Sequence, residues 1–232
     1  MSSYWVLLSR KKHFPFSAAV SVVLCLLWVT PAVAQNSQSN DWTIVPDLRV
    51  GPVTATFSER DLRSSFGDAS VTNGSMPGAE GEPTAATFVY QDDPTRALAI
   101  AWKDADKKAN PDTIFVCQGL SQGTCKWHTP SGITIGTTLT ELEKQNGSPL
   151  LFYGFGWYYS GIVISWQGGK LMHDLGNTGV VGVAVAPANE NWADKLTPLQ
   201  RKKLSGEKKI SSDDLTVQKL NIVVHKLTFG FQ

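Results

Sequence analysis

The 232-residue chain has only four histidines and three cysteines, no real excess of either charge (21 Lys+Arg against 20 Asp+Glu) and, past residue 34, no apolar run that approaches membrane-spanning length. Each shortage removes a class of function. Balanced charge argues against an electrostatic nucleic-acid binder, which needs a basic surface to meet phosphate. The histidines beyond residue 34 are His128, His173 and His225, in separate strand-like regions with no H-x-x-x-H spacing. His173 and Asp174 are neighbours that would point to opposite faces of a strand, so no metal site is expected, and no cofactor either. The carboxylates form no recognisable acid/base pair along the chain.

What is present begins with a leader. Arg10, Lys11 and Lys12 precede an apolar run over 16–29, and Ala32-Val33-Ala34 places small residues at the −3 and −1 positions before Gln35. This is the three-part layout of a secretory signal, and an apolar run of this length falls short of the about 20 residues a membrane helix needs. Cleavage after Ala34 and a periplasmic or secreted location are expected. Cys25 follows Leu24 where a lipidated cysteine would need a small residue, so it reads as part of the signal core. Removing the leader takes three of the 21 basic residues and no acidic one, leaving 18 against 20 and a net charge of −2. Residues 35–41 (QNSQSND) read as a flexible mature N-terminus, followed by a single α+β domain over 42–232, of a length suited to one core.

Two cysteines remain, Cys117 and Cys125, bracketing a loop with two glycines. In an oxidising compartment the favoured reading is a disulfide, and a loop this short would stabilise by about 2–3 kcal/mol at most. The alternative of a metal or redox pair lacks further cysteines and C-x-x-C spacing. Inside this loop 119–123 spells G-L-S-Q-G, the spacing that exposes a nucleophilic serine on a strand-to-helix turn. No helix pattern follows and no βαβ alternation surrounds it. A hydrolase through Ser121, with Asp174 and His225, or through a spatially assembled Asp/His site, therefore stands as the alternative to a non-enzymatic reading.

Along the domain, 42–53 reads as a short strand broken by Pro46, Gly51 and Pro52, and 58–66 as a capped helix with Leu62 and Phe66 on one face, closed by Gly67. Residues 68–83, rich in glycine and proline, read as the least ordered interior segment. Strands are expected at 84–91 and 97–103, joined by a proline turn, then at 113–118 with a return over 125–128. A buried strand is expected at 180–187, a solvated helix at 194–204 and a long closing strand at 220–231.

The most informative stretch is 132–171. Thr138-Leu139-Thr140-Glu141 fits a capping box, Gly147 a left-handed helix stop, and Pro149 prevents resumption. Strands follow at 150–154 and 160–166. Phe152, Tyr153, Phe155, Trp157, Tyr158, Tyr159 and Trp166 crowd into this region. Alternation on strands sends roughly half of them to the core, and the others would form an exposed face able to bind proteins, glycans or apolar ligands. All seven are candidate binding residues. A small apolar-ligand carrier would instead require a deep aromatic-lined pocket.

Ser58-Glu59-Arg60-Asp61-Leu62 aligns with Thr138-Leu139-Thr140-Glu141-Leu142 at a constant offset of 80, as do Gly67 and Gly147, which suggests two related halves, 42–128 and 129–232. Shared caps and glycine stops are also common chemistry and produce such alignments unaided. Ile135, Gly136, Thr137, Glu141, Leu142, Gly147 and Pro149 match a motif like I-G-x-T-x-x-E-L-x-x-x-x-G-x-P. In this the chain resembles the small BamE-like lipoprotein of the outer-membrane β-barrel assembly machinery and the secreted β-lactamase inhibitor proteins. The match covers about a quarter of the mature chain and departs from the family in lacking a usable lipobox cysteine and the intra-repeat disulfide spacing. The resemblance implies an α+β fold, a largely antiparallel sheet covered by short helices, and a non-catalytic role in binding another envelope protein.

Overall fold

A computed structural model of the chain describes residues 40–78, 82–119, 124–175 and 180–231. The leader and Ser121 lie outside the described residues, as does all of 35–41 except Asn40 and Asp41. Asp41 is already held in the fold: its carboxylate accepts from the Thr43 amide at 2.9 Å and pairs with Arg49.

The fold is α+β, with four helices and three antiparallel sheets among the described residues. A small hairpin, β1 (Ile44–Val45) and β2 (Arg49–Val50), leads to α1 (Glu59–Phe66) and then to four strands in sequence: β3 (Val71–Pro77), β4 (Pro83–Val89), β5 (Leu98–Asp104) and β6 (Ala109–Val116). The second part runs through α2 (Leu139–Asn146), β7 (Leu151–Tyr153), β8 (Val163–Ser165), α3 (Leu171–Asp174), β9 (Val181–Pro187), α4 (Pro198–Leu204), β10 (Lys209–Ser211) and β11 (Ile222–Gly230). The main sheet has the order β3-β4-β5-β6-β11-β9, and a smaller one the order β10-β7-β8.

Strand alternation builds the core directly. Val71, Val89, Leu98, Val116, Leu227 and Val183 stand opposite one another across all six strands of the main sheet, and every one of them is buried. They face Leu62 and Phe66 of α1 and Leu142 of α2 within one hydrophobic cluster. The next row on the other face, Thr72, Phe88, Ala99, Phe115, Thr228 and Gly182, is small or polar apart from two phenylalanines. One face of the sheet thus packs against α1 and α2.

Several expectations are corrected. Within 68–83, read as the least ordered interior segment, seven residues form β3, while 79–81 lie outside the described residues. The strand is an edge, four of its seven residues are consecutively exposed, and polar side chains suit that position. Residues 125–128 do not return β6 as a hairpin. Their backbone pairs with the N-terminal segment instead, Ile44 donating to the His128 carbonyl at 2.7 Å and His128 to that of Trp42 at 3.1 Å. The helix expected at 194–204 breaks in two, a 3-10 turn at Trp192–Lys195 and α4, because Thr197 caps a new helix with Pro198 in its first turn. His173 and Asp174 lie on the short helix α3, not on a strand.

The two aligned helices also differ. At α1 the capping box is closed in both directions: the Ser58 hydroxyl accepts from the Asp61 amide and the Asp61 carboxylate accepts from the Ser58 amide at 2.8 Å. At α2 the Thr138 hydroxyl accepts from the Glu141 amide at 3.2 Å, but Glu141 does not reach back. Gly147 takes the left-handed conformation, whereas Gly67 ends α1 with an extended ψ of 141°.

Candidate functional site

The aromatic stretch folds into a strap, residues 154–161, connecting β7 to β8. Backbone bonds close it on itself: the Gly161 amide donates to the Tyr153 carbonyl at 3.0 Å, Ser160 to Trp157 at 3.1 Å and Ile162 to Tyr159 at 3.2 Å. The Trp157 indole N–H donates to the Gly154 carbonyl at 2.9 Å and the Ser160 hydroxyl accepts from the Gly156 amide at 3.2 Å. These internal bonds hold the strap's backbone while its rings reach solvent.

Alternation divides the seven candidate aromatics. Phe152, Phe155 and Trp166 are buried in the main cluster and are removed from the candidate contact surface. Phe152 faces inward opposite Val163 of β8 and Ile210 of β10, and Phe155 meets Trp192 edge to face with ring centroids 5.3 Å apart. The other four form one continuous edge-to-face run: Tyr153 to Trp157 at 5.3 Å, Trp157 to Tyr159 at 5.3 Å and Tyr159 to Tyr158 at 4.8 Å. Exposure rises along it, from half-buried Tyr153 and Trp157 to Tyr159 at 48% and Tyr158 at 67%. Each ring buttresses the next, so the exposed pair has little rotamer freedom left to lose on binding.

Two glycines hold the strap down. A Cβ on Gly154 would come within 2.7 Å of the Gly206 carbonyl oxygen and 2.8 Å of that of Leu204, and one on Gly161 would overlap the Val185 carbonyl of β9. On one side the strap is therefore bonded to the segment after α4: Phe155 donates to the Leu204 carbonyl at 2.7 Å, Gly206 to that of Phe155 at 3.0 Å and Gly154 to that of Lys208 at 2.9 Å. β10 then pairs with β7 and sets Lys209 opposite Tyr153. At the other end of β7–β8, buried Asn146 donates to the Trp166 carbonyl at 2.8 Å and accepts from the Leu171 amide at 3.2 Å, tying α2 to α3.

No protein-family model matches the chain, and no curated protein or solved structure matches it significantly. The site therefore rests on its own geometry.

Cys117 and Cys125 form a disulfide, with Cα atoms 5.9 Å apart. The G-L-S-Q-G stretch inside it is described only at Gly119. A concavity of about 610 Å³ is bordered by Gln118, Gly119, Glu190, His225 and Lys226, with His225 at the register shift between Val224 and Lys226 of β11. Neither Asp174 nor any strap ring lines it. Among the described residues no three His, Cys, Asp or Glu side chains gather as a metal site would require, and no helix is long and apolar enough to cross a membrane.

Sequence reasoning missed two partners of the strap. Trp192 sits just ahead of 194–204, the segment read as a solvated helix, and Lys209 reaches Tyr153 only through a pairing across 56 positions, which no local pattern reveals.

Proposed function

We propose that the protein is an exported, non-catalytic binding module of the cell envelope, released by cleavage after Ala34, whose working surface is the strap. The observation that carries this reading is the run Tyr153–Trp157–Tyr159–Tyr158, three ring contacts of 4.8–5.3 Å ending in two exposed tyrosines. Exposed aromatics held rigid by neighbours are what contact surfaces use, because they offer large apolar area at small entropic cost. Its partner is another component of the envelope. An envelope or secreted protein is the occupant that the aromatic composition by itself supports, in line with the non-catalytic role implied by the resemblance to the β-lactamase inhibitor proteins. The test compares wild type with Trp157→Ala and Tyr159→Ala in a pull-down from envelope extract. Folded variants that retain the full set of partners would sink the strap as the working surface.

A further inference from the structure

The strap's flank is chemically distinct from the rest of the molecule. Lys195, Arg201, Lys202, Lys203, Lys208 and Lys209 fall within fifteen residues, against one carboxylate, Glu207, in a mature chain whose net charge is −2. All six are exposed, and among the described residues only Lys203 is paired with a carboxylate, that of Asp214. Burial opposes ionisation of Asp214, but Lys203 and the Thr216 amide outweigh it and hold its pKa below the usual carboxylate range. That pair is a settled structural contact, and the remaining five cations face solvent without a counter-charge.

The fold brings the end of this basic segment, Leu204 to Lys209, to the strap. The carbonyls of Leu204 and Lys208 accept from Phe155 and Gly154, so the end of α4 and the start of β10 lie along the strap's backbone. Lys209 stands across from Tyr153, and opposite residues of an antiparallel pair share a face, which joins it to the aromatic run. On α4, Leu199 is 79% exposed and lies three and four positions from Lys202 and Lys203, on the same side of the helix.

We infer that the strap and its basic flank seat on an anionic lipid surface, deepening the reading of the strap as the working surface by naming what it meets. Three features favour lipid over protein. Lysine is depleted in protein–protein contact surfaces, whereas tyrosine and tryptophan ringed by lysine is the composition of the bilayer interface. Tyr158 and Tyr159 form an exposed pair of rings and Leu199 is exposed on α4, a set of amphipathic and apolar side chains suited to the depth of headgroups. The charge is local: a chain of net −2 is not drawn to an anionic surface as a whole, so attraction acts only when this face is turned toward it. Apolar insertion and electrostatic attraction are each weak alone and give stable attachment together.

The test is co-sedimentation of the mature chain with vesicles of equal parts phosphatidylglycerol and phosphatidylcholine, against pure phosphatidylcholine, at physiological and high salt. Association with the anionic vesicles is expected, lost in high salt and on pure phosphatidylcholine. Lys208→Glu/Lys209→Glu should lower the partition coefficient at least about tenfold, and Tyr158→Ser/Tyr159→Ser should lower it while leaving far-UV circular dichroism unchanged. Equal binding to both vesicle types, or indifference to either double substitution, would overturn the inference. So would equal capture of wild type and Tyr158→Ser/Tyr159→Ser on poly-L-glutamate with no vesicle binding, which marks a general polyanion patch. Absence from vesicles together with strap-dependent capture of an envelope protein removes the lipid and keeps the binding module. Absence from both removes the two readings together.

Discussion

Gly161 lies directly against Val185: its carbonyl accepts from the Val185 amide at 2.9 Å, and a Cβ in its place would overlap the Val185 carbonyl oxygen. This single approach fastens the strap to the edge strand of the main sheet, with the neighbouring bridge Ile162–Ala184 continuing it. Gly156, in the same strap and also at positive φ, has open space around its Cβ position.

Gly161→Ala should therefore cost more than Gly156→Ala. At Gly156 only the left-handed backbone (φ 82°) is penalised, about 1 kcal/mol, while at Gly161 (φ 69°) the strap must also lift off β9, for a total of at least about 2–3 kcal/mol. Denaturant unfolding measures the difference, and near-UV circular dichroism should show weakened ring coupling in the Gly161 variant alone. Equal costs would mean that the approach to Val185 is not what holds the strap.

Glu59 gives the fold a defined acid sensitivity. Burial works to raise its pKa, but Lys108 at 2.8 Å, Arg63 at 2.6 Å and Asn73 at 3.0 Å outweigh it and bring the value from 4.5 to about 2. A carboxylate depressed in the folded state stabilises fully above its unfolded pKa, and that contribution is lost as pH falls from about 4.5 toward 2. Discounted for partial exposure, it amounts to about 1–2 kcal/mol. Glu59→Gln should be less stable by that amount at neutral pH, and the gap from wild type should close across this window. A gap that stays constant down to pH 2 would show that the ion pairs contribute nothing net.

The caps of α1 and α2 look interchangeable in sequence and behave differently in structure. Asp61→Ala removes the acceptor for both the Ser58 amide (2.8 Å) and the Ser58 hydroxyl (2.7 Å) and should cost about 1 kcal/mol. Glu141→Ala removes no such bond and should change stability by no more than about 0.5 kcal/mol. Thermal unfolding of the two variants decides, and equal losses would contradict the asymmetry.

Much of this fold was legible because its signals are local. The periodicity of Leu98, Ile100 and Trp102, the cap at Ser58, the stop at Gly147 and the apolar run of β9 each announce their element within a few residues. β3 was hidden because an exposed edge strand has no buried face to impose alternation, and VTNGSMP carries a glycine where turn chemistry is expected. The break before α4 was hidden because Pro198 reads as helix interruption or helix start according to whether Thr197 caps it. Within the strap, composition located the rings. Their division into buried Phe152, Phe155 and Trp166 and a surface run depended on which β-strand faces which, and β10 lies far along the chain from β7.

The position of β11 bears on how the protein is made. Its residues 222–230 fill the gap between β6 and β9, so the last of the six strands along the chain sits inside the main sheet, one place from its edge. As the chain emerges from its N-terminus, β6 and β9 each wait with one row of amides and carbonyls unmatched until Ile222 has appeared. The main sheet therefore stays open between β6 and β9 until β11 itself has been made.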